Sequence, residues 1–291
     1  MKITINNKLE IKTNEREGMI IIMDKRAIGM FDSGIGGINV FSEVIKQNPN
    51  EDIIYLGDTQ RFPYGAKSTE TIIEISKRCI EFLIKKDVKM IVIACGTATS
   101  QALHVLQRNF DIPIIGIISP TVESIKNENK KNQIIGVIGT KGTITSNSWE
   151  EALKESIKNI TVINRACPML APLAEQGWVD NCVAKAAVGE YMEIFKGKKI
   201  DKLILGCTHY PLFKDLIIEE LGDNVELINT GEKLALYLKE FLKESNLQND
   251  KNNKPDYQIY LTDTETSFVD VARTLVKDKT IIDGVKKAEE I

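Results

Sequence analysis

Two cysteines stand at matching points of a sequence that echoes itself. Met90-Ile-Val-Ile-Ala-Cys95 has a counterpart in Lys202-Leu-Ile-Leu-Gly-Cys207, and Ile28-Gly-Met-Phe-Asp-Ser-Gly34 has one in Ile135-Gly-Val-Ile-Gly-Thr140. Each cysteine closes an apolar run and precedes a helical pattern. Thr97 is the expected N-cap after the first, and Pro211 the expected first helical residue after the second. A thiol at a helix N-terminus has its thiolate favoured by the helix dipole. If the echoed units face each other, the two thiols flank one ligand. Such a pair can invert a carbon centre: a thiolate removes a proton from one face and a thiol returns another to the opposite face. That chemistry needs no cofactor. Taken singly, a cysteine at the end of a buried strand is ordinarily a small core residue; the paired placement is what points to function.

Fewer signals surround the thiols. Asp32-Ser33-Gly34-Ile35-Gly36-Gly37 follows the first strand, and its glycines can turn backbone N–H groups toward an anion as a helix starts near Gly37. The same glycines would serve a tight turn equally well, and they do not complete a dinucleotide fingerprint. The echoed loop Gly139-Thr-Lys-Gly-Thr143 lacks P-loop spacing. His209, two residues from Cys207, can orient or protonate a neighbour. His104 falls mid-helix without a role. Cys207 and His209 have no further ligands in a zinc-like cluster, so no metal is expected. Cys79 lies on the apolar face of a helix, and Cys167 and Cys182 are assigned to core packing.

These residues need a scaffold. The chain has 291 residues, a length that fits two domains. With 38 basic and 41 acidic residues the net charge is −3, which gives no electrostatic reason to bind nucleic acid or a membrane surface. Five cysteines without a C-x-x-C spacing argue for free thiols in a reducing cytoplasm. Met19–Met23 is too short an apolar run for a signal peptide or a membrane span. Residues 1–24 read as a mobile extension, with Met19 and Met23 as alternative starts.

The apolar runs Ile28–Phe31, Ile53–Leu56, Met90–Ala94, Ile114–Ile118, Ile134–Ile138, Leu203–Leu205 and Val225–Ile228 are continuous rather than alternating, as in parallel strands buried on both faces. Helices are expected over 70–86, where Thr71 and Glu74 can form a capping box, and over 183–195 and 231–243. A final strand at 257–262 and a helix at 266–277 follow a polar loop at 246–256, and 127–132 reads as a second surface loop. The expected fold is α/β: two similar domains with largely parallel sheets, related by pseudo-twofold symmetry, with the active site between them. One domain takes residues 25–119 and 230–291, the other 120–229.

At this point the motifs resemble glutamate racemases of the aspartate/glutamate racemase superfamily from Ile28 onward. The matching segments are Ile28–Gly37, Gly57-Asp-Thr-Gln-Arg-Phe-Pro-Tyr-Gly65, Ile93–Thr99, Ile135–Thr143, Ala166-Cys-Pro-Met-Leu-Ala-Pro-Leu-Ala-Glu175 and Leu203–Pro211, the last being the sharpest. The resemblance implies an isomerase that interconverts L- and D-glutamate without metal or pyridoxal, supplying D-glutamate for peptidoglycan in a bacterial cytoplasm. It implies catalytic roles for Cys95 and Cys207, with Asp32 assisting the first thiol and His209 and Glu175 near the second. It also implies substrate contacts from Asp32, Ser33, Tyr64, Gly65, Gly96, Thr97, Thr208 and His209, and a side-chain-binding loop at Thr140 and Thr143. The family is often dimeric. One departure stands out: Gly96 replaces the family's usual Asn after the first cysteine. It motivates an alternative, an aspartate racemase or another enzyme of the superfamily. A third reading, a two-lobed protein that binds an acidic amino acid without chemistry, gives no purpose to the paired cysteines.

Overall fold

The computed structural model describes all residues except 1, 6–8, 15–18, 129, 250–253, 265–267, 276–279 and 290. Its strands are β1 (Lys2–Ile5), β2 (Leu9–Asn14), β3 (Met19–Asp24), β4 (Ile28–Asp32), β5 (Ile53–Gly57), β6 (Met90–Ile93), β7 (Ile114–Gly116), β8 (Ile134–Gly139), β9 (Thr161–Ala166), β10 (Lys202–Leu205), β11 (Glu226–Asn229), β12 (Tyr257–Leu261) and β13 (Lys286–Lys287). Its α-helices are α1 (Gly37–Gln47), α2 (Thr69–Lys85), α3 (Gly96–Asn109), α4 (Ile118–Asn127), α5 (Lys141–Thr145), α6 (Ser148–Ser156), α7 (Leu170–Glu175), α8 (Cys182–Met192), α9 (Lys214–Leu221), α10 (Thr230–Glu244), α11 (Phe268–Leu275) and α12 (Thr280–Asp283).

Two parallel sheets carry the fold. One runs in the order β13-β12-β5-β4-β6-β7 and the other β11-β10-β8-β9. The internal echo is thereby explained. The order β5-β4-β6-β7 in the first sheet is repeated as β9-β8-β10-β11 in the second, with β4 matched by β8 and β6 by β10. In both, the chain leaves the central strand to one side and returns on the other. The strand order thus reverses between β4 and β6, and again between β8 and β10, the point at which α/β sheets ordinarily bind ligands beyond the strands' carboxyl ends. Asp32 and Cys95 lie at the first of these points, Thr140 and Cys207 at the second.

Of the strands read as apolar runs, β4, β5, β6 and β10 are buried along their whole length; β11 is not, since Glu226 interrupts its run and is exposed at the sheet edge. One core is shared by the two sheets. It joins Ile28, Met30 and Val92 of the first to Val137 and Ile204 of the second through Phe41 of α1, Val122 of α4 and Leu238 of α10. On α10, Leu234, Leu238 and Leu242 recur every four residues, which lays one helical stripe against that core. The outer faces of the sheets have their own cores, under α2 and α3 for the first and under α7, α8 and α9 for the second.

Several local expectations are corrected. Strand β9 went unread because Asn164 and Arg165 interrupt its apolar pattern, and it is only partly buried at the sheet edge. Ile118 begins α4 rather than ending β7. The N-cap of α2 is Ser68, whose side chain accepts from the Thr71 N–H, so the Thr71–Glu74 capping box does not form. Among the described residues before Lys25, β1, β2 and β3 pair as an antiparallel sheet, which the reading of an extension did not anticipate. Leu9-Glu-Ile-Lys12 alternates apolar and polar residues, the period of a strand. Parts of the expected helix at 266–277, of the loops at 127–132 and 246–256, and of the extension lie outside the described residues. Among those described, no helix is long and apolar enough to cross a membrane.

Candidate active site

Cys95 is itself the N-cap of α3, with Gly96 as the first helical residue. Thr97 is not the cap; its hydroxyl instead lies 2.8 Å from that of Thr140 on the other domain. After Cys207 comes a single 3₁₀ turn, Tyr210–Phe213, and α9 starts only at Lys214. So short a turn contributes little of the dipole expected beside this thiol. Both sulfurs are nearly sealed from water: Cys95 is 5% exposed and Cys207 6%.

Burial reverses the expected ionisation of the first thiol. Loss of solvent, aided by the nearby charge of Asp32, pushes the Cys95 thiol up to about 12, against the pull of the helix start. A charge on Cys207 would raise it further. The Cys95 thiol donates to Ser33 Oγ at 3.8 Å.

Asp32 is wholly buried at the end of β4. Burial raises its carboxyl to about 6, although the charge of His209 and the N–H groups of Gly34 and Gly37 work in the other direction. Those two N–H groups donate to Oδ2 at 3.0 and 3.2 Å, and Thr208 Oγ1 donates to Oδ1 at 3.3 Å from across the cleft. Behind the loop, the Tyr55 hydroxyl donates to the Gly34 carbonyl at 2.7 Å. The sequence reading missed Tyr55, which looked like one more apolar strand residue.

His209 joins the second thiol to a carboxylate. Its Nδ1 lies 3.6 Å from Cys207 Sγ and its Nε2 2.7 Å from Glu175 Oε1. Burial would lower its pKa, but the hydrogen bonds and charges of Cys207 and Glu175 outweigh this and hold it well above the ordinary value. A protonated ring can donate to both partners at once. Glu175 Oε1 also accepts the Ile35 N–H from the first domain at 2.9 Å. Asn39, also missed, donates from Nδ2 to the Thr208 carbonyl at 3.0 Å; nothing in its sequence context distinguishes it from any polar residue in a first helical turn.

Tyr64 and Gly65 are placed differently from each other. The Tyr64 hydroxyl donates to the buried Asp58 carboxylate at 2.7 Å, so the side chain serves the first domain's interior. Gly65 meets Thr140 across the cleft. Thr143 lies 3.0 Å from Thr140 and 3.4 Å from Thr97, oxygen to oxygen. Of the other thiols, Cys79 and Cys167 are buried as expected, but Cys182 is exposed at the start of α8, which corrects its assignment to the core. Among the described residues, no group of three or more His, Cys, Asp and Glu side chains could hold a metal ion.

Residues 38–236 match the family model described as Asp/Glu/Hydantoin racemase. The chain is 39% identical over 257 residues to a glutamate racemase of Geobacter metallireducens, covering 88% of this chain and 95% of that protein. With a glutamate racemase of Persephonella marina the identity is 43% over 242 residues, covering 83% and 90%. The crystal structure of glutamate racemase from Francisella tularensis in complex with D-glutamate superposes with a TM-score of 0.83 at 35% identity, covering 91% of this chain and 98% of that one. By sequence and by fold, the chain belongs to the Asp/Glu/Hydantoin racemase family.

Proposed function

We propose that this chain interconverts L- and D-glutamate by a two-thiol mechanism, in the cytoplasm, as a source of D-glutamate for peptidoglycan. The observation that carries the reading is the placement of Cys95 and Cys207, each at the carboxyl end of the equivalent strand of a repeated unit and screened from water. In each direction one sulfur, as thiolate, takes the α-proton, and the other, as thiol, delivers a proton to the opposite face. One proton leaves the carbon and one returns, so no net oxidation occurs. Asp32 acts beside Cys95, and His209, held by Glu175, beside Cys207. The N–H groups at the start of α3 supply donors for a substrate carboxylate, with Ser33, Thr97 and Thr208 at the polar groups.

Burial of the thiols makes opening of the cleft part of the cycle. Closure then removes water and strengthens each charge interaction inside. The test is incubation with L-glutamate in D₂O without added cofactor. α-Deuterated D-glutamate is expected. Absence of α-exchange with glutamate, or preferential exchange with aspartate, would remove the proposal.

A further inference from the structure

We propose that Phe62 is a positioning residue that closes the second thiol's histidine off from water, a plug carried by one domain and seated in the other; what the dry pocket serves rests on the racemase reading above. Phe62 follows β5 of the first sheet, yet its ring packs against the core beneath α7, α8 and α9 of the second. There it lies against the His209 imidazole, with ring centroids 5.7 Å apart and planes inclined at 52°. Phe62 is half-buried and His209 is 1% exposed, so the phenyl ring stands between the imidazole and solvent. The Gly34 turn borders the same space. A β-carbon on Gly34 would come 3.3 Å from Phe62 Cδ2 and 2.5 Å from Glu175 Oε1. The glycine leaves room for both the ring and the carboxylate.

The mount explains why the ring leaves its own domain. The buried Asp58 carboxylate accepts from Arg61 Nη1 and from the Tyr64 hydroxyl, both at 2.7 Å, and from Thr262 Oγ1 at 3.0 Å. Thr59 Oγ1 donates to the Asp263 carbonyl and Arg61 Nη2 to the Ile291 carbonyl, each at 2.7 Å. The residues on either side of Phe62-Pro63 are thus tied to the first domain through one carboxylate, and the two between them are left to project. An apolar ring at that point excludes water and offers no hydrogen bond of its own. The imidazole keeps Cys207 and Glu175 as its partners, 3.6 and 2.7 Å away, in surroundings where such bonds are stronger than in water. Because mount and seat belong to different domains, this group is dry only while the domains meet. Proton transfer at Cys207 is thereby tied to closure.

The test uses Phe62→Ser, which admits water, and Phe62→Leu, which keeps an apolar cover. Alkylation of each cysteine by iodoacetamide is followed by peptide mass spectrometry. Cys207 belongs to the core against which Phe62 packs and Cys95 to the outer core of the first sheet, so the two thiols report separately. In Phe62→Ser the labelling rate of Cys207 is expected to rise at least about fivefold, while that of Cys95 stays close to wild type. In the same protein kcat for L-glutamate is expected to fall at least about fivefold, with little change in KM. Phe62→Leu should restore both readings toward wild type. A smaller change in either reading, an equal rise at Cys95, or no recovery in Phe62→Leu overturns the proposal. Cooperative thermal melting checks the fold, and if Phe62→Ser fails to melt cooperatively, Phe62→Ala decides by the same readings. If wild type racemises no glutamate, the functional reading fails, while labelling still judges the plug.

Discussion

Glu175 Oε1 lies 2.7 Å from Nε2 of His209, and the same oxygen accepts the Ile35 N–H from the opposite domain at 2.9 Å. One carboxylate thus ties the second thiol's histidine to the first thiol's loop. Neutralising it should act on both. In Glu175→Gln the imidazolium loses a charged partner, so the His209 pKa falls. The alkaline limb of the kcat/KM profile should move to lower pH, with activity down by about tenfold at its optimum. An unmoved profile would show that Glu175 serves only to hold the domains together.

The two-thiol reading makes a stereochemical prediction. Cys95→Ser and Cys207→Ser should each lose racemisation by about 10²- to 10⁴-fold. The surviving thiol should still exchange the α-proton of the enantiomer it faces, without inversion, in D₂O. The two variants should therefore label opposite enantiomers, a difference that NMR combined with chiral separation detects. Racemisation within tenfold of wild type in either variant contradicts the scheme.

Asp32 links pH to stability. Its carboxyl is raised from 3.8 to about 6 in the folded chain, so the native state holds that proton more tightly than the unfolded one. Stability from this group is complete below about pH 4 and is lost as pH rises through about 6. The loss is at most about 3 kcal/mol. Asp32→Asn should therefore melt higher than wild type at pH 8 and match it near pH 4, while racemising more slowly at pH 8. Melting curves at the two pH values that show no such convergence would place the cost elsewhere.

Cysteine accessibility is directly measurable. Cys182 is exposed, whereas Cys79, Cys95, Cys167 and Cys207 are buried. A polar thiol reagent should modify one cysteine rapidly and the others slowly, and Cys182→Ser should abolish the fast phase with kcat unchanged. D-Glutamate should slow the later labelling of Cys95 and Cys207. Rapid modification of more than one thiol in wild type would mean that the resting cleft is open.

The sequence determined the larger part of the architecture. Continuous apolar runs specify buried parallel strands because such strands are covered on both faces, and the echo of Ile28–Gly34 in Ile135–Thr140 announced a repeated unit before its strand order was seen. It also singled out Cys95 and Cys207, whose position between strand and helix is a local property. What crosses between domains was decided only by the tertiary structure. No local pattern says that Tyr55 supports Gly34, that Asn39 reaches Thr208, or that the Tyr64 hydroxyl turns inward to Asp58. The same holds for charge: the helix start beside Cys95 is written in the chain and favours a thiolate, but the desolvation that overrides it arises only when distant segments exclude water. Gly96 shows the division most clearly. The sequence registers a glycine after Cys95, and only the tertiary structure brings it against the Gly206 carbonyl, 110 residues later in the chain.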